Sequence, residues 1–133
     1  MAYHLTPKPE GEYFQFCALR FDVDKARRII GRKPREIERQ PVADWARAYG
    51  THYLLPNADT DYRAVFLGPD QRTFDRAYAI TTDLEIPVII ANHENQLLLI
   101  DGCHRLYKHY VGGSETMPSF VLTEAETKAI LIK

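Results

Sequence analysis

The apolar positions of this chain switch repeatedly between a period near two and a period near 3.6, and each switch marks an element. Residues 1–12, with Pro7, Pro9 and Gly11, predict an extended lead-in. Tyr13 to Phe21, YFQFCALRF, is dense in aromatic and apolar side chains and predicts one strand. Along it Phe14, Phe16 and Ala18 alternate with Gln15, Cys17 and Leu19, a pattern for a strand covered on both faces. Asp22 is a good N-cap for a helix over Val23 to Ile30, with Val23, Ala26, Ile29 and Ile30 on its inner face and Gly31 as the stop. Pro41 in a first turn and Gly50 after Tyr49 bracket a second helix, whose stripe is Val42, Trp45, Ala46 and Tyr49. Residues 51–61 hold Pro56, Asn57, Asp59, Thr60 and Asp61 and predict a loop.

Further along, Tyr62 to Leu67 predicts a strand and Gly68-Pro69-Asp70 a turn. A helix capped by Asp70 or Thr73 follows to about Thr81, with Phe74, Ala77, Tyr78 and Thr81 on its apolar face. A rival reading makes Ala77 to Thr82 a strand. Pro87 to Asn92 and Gln96 to Ile100 predict a hairpin that turns at His93 to Asn95. Asp101-Gly102 breaks the apolar run Leu97 to Ile100. From Cys103 the period becomes helical, with Leu106, Tyr107, Tyr110 and Val111 on one face, and Gly112-Gly113 ends the helix. Met117 to Leu122 predicts another strand, and Thr123-Glu124-Ala125-Glu126 is a capping box that opens the last helix.

The order strand, glycine turn, helix over Gln96 to Gly113 carries chemistry. The first N–H groups of a helix have no intrahelical partners, and the helix dipole leaves partial positive charge there, which suits an anion such as phosphate. His104 and Arg105 fall in the first turn, where cations oppose the dipole by a few tenths of a kcal/mol up to ~1 unless something negative is near. Two partners would remove the conflict: a bound phosphate, or Asp101 capping the helix and screening both side chains.

Bulk properties narrow the class. The chain has 133 residues, 45% of them apolar, which suits a single domain over 1–133. A net charge of −1 is not that of a chain built to coat nucleic acid. No apolar run reaches the ~20 residues that cross a bilayer, and the N-terminus lacks the layout of a signal peptide. Cys17 and Cys103 lie in different elements, which suits a reduced, cytoplasmic protein. No cysteine or histidine spacing suits a metal; His104 and His109 are five residues apart. Between Lys25 and Arg39 seven cations face only Glu36 and Glu38, a surplus of five. That segment reads either as an anion-binding face or as a solvated helix and loop.

Ile100-Asp101-Gly102-Cys103-His104-Arg105 resembles the IDGxHR signature of the ParB/sulfiredoxin superfamily. Ile86-Pro87-Val88-Ile89-Ile90 is similar to its preceding strand, and Glu115 to Val121 to its following one. The likeness covers roughly residues 62–133 and is closest to the sulfiredoxin branch. It implies an α+β fold of ParB/sulfiredoxin type, a small mixed sheet with packed helices, and favours a helix before Pro87. Residues 1–61 would then be an N-terminal extension of one strand and two helices, and 62–133 the core. The resemblance implies that the turn holds the phosphates of ATP or another nucleotide, with Mg²⁺ bridging them, for phosphoryl transfer or hydrolysis onto a small-molecule or protein acceptor. A non-catalytic nucleotide-, DNA- or protein-binding module is the alternative. ParB proteins carry a helix-turn-helix region after this domain, which the ten residues after Thr123 do not supply, so specific DNA binding is not expected.

The expected phosphate-binding residues are Gly102, Cys103, His104, Arg105 and Lys108, with Arg63 and Arg72 from upstream. Arg105 leads, because a guanidinium matches phosphate oxygens as a fork. Asp101 and Cys103 are the candidate catalytic residues. A thiol at a helix start beside cations is favoured as the nucleophilic thiolate, yet cysteine is also among the most buried residue types, and both readings stand for Cys103.

Overall fold

A computed structural model describes residues 12–16, 18–32, 34–51 and 76–132. Among them the chain forms an α+β fold with five helices and two small sheets. The strand expected over Tyr13 to Phe21 is two strands, β1 (Tyr13–Phe16) and β2 (Leu19–Asp22), paired as an antiparallel hairpin. Its aromatic density suited one long strand as well as two short ones, and nothing local marks the reversal. Asp22 then caps α1 (Val23–Gly31), accepting from the Lys25 backbone N–H at 2.9 Å.

The basic segment contains a strand the pattern did not announce, β3 (Glu38–Pro41). Its residues are polar because it is an edge strand with little to bury. It runs into α2 (Val42–Ala48), where Pro41 is the N-cap rather than a first-turn residue. Next among the described residues comes α3 (Arg76–Thr81), a helix and not the rival strand. The expected strand Tyr62 to Leu67, the turn at 68–70 and the caps Asp70 and Thr73 lie outside the described residues. β4 (Val88–His93) and β5 (Gln96–Asp101) form the expected hairpin. Its two-residue turn puts Glu94 and Asn95 at φ 50° and 68°, the left-handed pair that matches strand twist. α4 (Cys103–Val111), β6 (Thr116–Val121) and α5 (Glu124–Ile130) follow, the last with a complete capping box between Thr123 and Glu126. A final strand β7 (Leu131–Ile132), too short to show a period, pairs with β2.

The larger sheet has the order β3-β6-β4-β5 and is mixed: β4 and β6 are parallel, the other pairs antiparallel. The smaller has the order β1-β2-β7. Both faces of β4 are covered, which explains its unbroken apolar run. Val88 and Ile90 point to α2 and α4, packing with Val42, Ala46, Tyr49, Leu99, Leu106 and Met117. Ile89 and Ala91 point the other way, packing with Phe21, Ala26, Leu98, Ile100, Leu122 and Ile130.

Two helix faces differ from their patterns. Among the α3 side chains described, Ala79 is buried while Tyr78 and Thr81 are exposed; the small alanine lets α3 sit close to α4. On α4 the buried residues are Leu106, Tyr107 and His109, while Val111 is exposed. α4 has α2 on one side and α3 on another, so its buried stripe is wider than the apolar one.

Arg35 pins the basic segment to α5. Its Nη1 donates to Glu126 Oε1 at 3.0 Å and its Nη2 also pairs with that carboxylate. Arg35 therefore holds the Glu126 carboxyl below the usual carboxylate range against the opposing effect of burial, with the Thr123 N–H adding to the arginine. A carboxylate with a depressed native pKa stabilises the fold above its unfolded value, about 4.3, and loses that contribution as pH falls through the native value. Glu126→Gln is expected to cost about 1–2 kcal/mol at pH 7. Urea melts should show that gap to the parent narrowing between about pH 5 and 3. A gap unchanged over that range would mean that the pair contributes nothing pH-dependent.

Candidate functional site

β5 ends at Asp101 and α4 begins at Cys103, so Gly102 alone makes the junction. Gly102 is the N-cap, at φ 117° and ψ 23°, and no side chain caps the helix. Its lack of a side chain is a packing requirement. A Cβ there would lie 2.5 Å from Val88 Cγ1 and 2.9 Å from Val88 Cβ, inside the core. The first turn of α4 holds no acidic residue, and residues 101–105 are all partly exposed.

Asp101 does not cap α4, but it does pair with Arg105. Its carboxylate accepts from Arg105 Nη2 at 3.4 Å and from Arg27 of α1 at 3.0 Å (Nη2) and 3.3 Å (Nε). Arg27 also meets Glu12 at 2.9 Å and Asp24 at 3.3 Å. A chain of charges, Glu12–Arg27–Asp101–Arg105, thus ties α1 on one face of the sheet to α4 on the other. Arg105 is held further by the Pro87 carbonyl at 3.4 Å, while its Nε is buried without a partner.

Cys103 is not disulfide-bonded, and its Sγ lies 3.7 Å from His104 Nδ1. The His104 ring meets Tyr78 of α3 edge-on, with centroids 5.0 Å apart. Tyr49 at the end of α2 donates its hydroxyl to the Leu99 carbonyl at 2.8 Å. Burial pushes that phenol up, and ionisation would forfeit the bond it donates to the Leu99 carbonyl, so Tyr49 stays protonated. Lys108 lies a turn away from the junction, and its ammonium donates to the Thr82 carbonyl at 2.6 Å, joining α4 to the end of α3.

Asp101, Gly102, Cys103, His104 and Arg105 are therefore together at the junction, Lys108 is engaged with α3, and Arg63 and Arg72 lie outside the described residues. Sequence reasoning missed that Arg27 belongs here. It stood among seven cations, and its partner Asp101 is 74 residues away, so no local spacing could single it out. Three of the seven cations of the basic segment have partners within the fold: Arg27 pairs with carboxylates, Arg35 with Glu126, and Arg39 with the Thr116 hydroxyl and carbonyl at 3.1 and 3.2 Å.

Among the described residues no cluster of three or more His, Cys, Asp or Glu side chains could hold a metal ion, and no helix is long and apolar enough to cross a membrane. No model of a protein family, no curated protein and no solved structure matches the chain.

Proposed function

We propose that the chain is a nucleotide-binding protein of ParB/sulfiredoxin type, and that it holds nucleotide phosphates at the junction of β5 and α4 for phosphoryl transfer or hydrolysis. The observation that supports this best is the junction itself. A glycine N-cap without a side-chain cap opens a helix whose first turn carries His104 and Arg105, lacks any acid, and is partly exposed. Helix dipole, backbone donors and guanidinium would all favour a phosphate there. In this reading Asp101 keeps Arg105 placed before the nucleotide arrives, and Mg²⁺ enters with the phosphates. Reactions of this kind rest mainly on positioning and charge stabilisation, which a rigid junction supplies.

A ligand that binds only the folded state raises its apparent stability. A panel of nucleotides with Mg²⁺ is therefore expected to raise the melting temperature for at least one member. Arg105→Ala, checked for its fold by circular dichroism, should weaken that ligand in titration calorimetry by about 1.5–3 kcal/mol, roughly tenfold to 150-fold. Absence of any thermal shift across the panel would sink the proposal, and an unchanged affinity would remove Arg105 from the site. Release of phosphate or transfer of label from the bound nucleotide separates an enzyme from a binding module. Cys103→Ser separates a thiolate mechanism, which it would abolish, from one in which Cys103 only packs.

A further inference from the structure

We propose that His109 is a proton-operated latch at the corner between α4 and β6: the neutral ring holds the corner closed, and a proton on it releases the corner.

His109 is 4% exposed, and it closes the corner twice. Its carbonyl accepts the Ser114 N–H at 3.0 Å, and its Nδ1 lies 3.1 Å from Ser114 Oγ. The chain reverses between them through Gly113 at φ 82°. Residues just past this corner anchor two other elements. The Glu115 carbonyl accepts the Val42 N–H at 3.0 Å, and Thr116 receives the Arg39 guanidinium. The corner thus sets where β3 pairs and where α2 starts.

The other ring nitrogen, Nε2, is buried and has no hydrogen-bond partner among the described residues. With Nδ1–H donating to Ser114 Oγ, Nε2 is a bare acceptor, an unmade bond of modest cost. A proton turns it into a charged donor without a hydrogen-bond partner among the described residues, which is far more costly. The charges acting on the ring make this worse, because Arg39 of β3 and Arg105 and Lys108 of α4 are all cations. The elements packed around α4 add the titratable groups Asp44 and Arg47 on α2, Tyr78 on α3 and His93 on β4; β6 adds none, and Glu38 precedes Arg39 on β3.

Burial first, and then the three cations, lower the proton affinity of the ring in the closed state. Once the corner opens, the ring returns toward its ordinary value of about 6.5. The open form then binds more protons than the closed form as pH falls below that value. Opening is favoured by up to about tenfold per pH unit from there down to the closed-state pKa.

Hydrogen exchange on the full chain tests this. After correction for intrinsic rates, amides of residues 112–116 should exchange about tenfold faster at pH 5.5 than at pH 7.5, while those of β4 hold. His109→Asn, which keeps an amide donor at the position of Nδ1 for Ser114 and does not titrate, should remove that acid effect. The parent's His109 ring, followed by NMR, should not titrate with the ordinary value while the corner is closed. The proposal is overturned by a ring that titrates normally with unchanged exchange, or by a variant as acid-sensitive as its parent. Should His109→Asn not fold, the parent's ring titration and exchange rates decide on their own.

Discussion

Gly102→Ala is expected to destabilise the protein by about 2–4 kcal/mol, from two independent causes. A φ of 117° lies where L side chains are rarely found, which alone costs about 1–3 kcal/mol. The new methyl would also meet Val88 Cγ1 at 2.5 Å. Val88 is fully buried between α2 and α4 and cannot swing into solvent, so the sheet or the start of α4 has to shift. Urea unfolding of Gly102→Ala, Val88→Ala and the double variant divides the loss. Val88→Ala removes the clash at Cγ1 and leaves the 2.9 Å approach to Cβ and the backbone strain, so the pair should couple favourably but only in part. A single-variant loss under about 1 kcal/mol would mean that the junction is pliant, and the argument for a rigid phosphate seat would fail with it.

The same glycine shows what can be read from residues in order and what cannot. Strand, turn and helix over Gln96 to Gly113 were legible because each has a local cause: four apolar residues in a row, an Asp-Gly break, a change of period. That the glycine is needed against Val88 was not, since the two residues meet only when β4 and β5 pair. Arg27 on Asp101 and Arg35 on Glu126 share that property: a surplus of charge is visible in sequence, but its distribution into pairs is tertiary. β3 and β7 escaped because strand patterns arise from burial, and an exposed edge of four residues or a closing pair of two has little to bury. His109 escaped for the opposite reason, as a polar residue buried where the apolar stripe predicts Val111.

Phe21→Ala should cost about 3–5 kcal/mol, the range for removing a fully buried aromatic ring. Phe21 belongs to the N-terminal hairpin, yet it shares one core cluster with Ile89 and Ala91 of β4, Leu98 and Ile100 of β5, Leu122 just before α5 and Ile130 at its end. Its edge also meets the ring of His93 at 5.9 Å between centroids. The hairpin therefore contributes to the core that seats the junction. One cooperative urea transition with its midpoint lowered is the expected result. Two transitions, with the later one unmoved, would instead make residues 12–22 a separable appendage.

The pairing of β2 with β7 sets an order on how this fold can form. Arg20 faces Ile132 and Phe21 faces Leu131, so β2 waits for a partner strand that lies far along the chain. Contacts between such distant segments form late, because the loop between them must close first. A nascent chain that has not yet reached Leu131 leaves one edge of β2 without its partner, and an open edge is a template for another chain. Until that edge is paired, the folding chain is exposed to association with other chains, a hazard that belongs to the route and not to the finished fold.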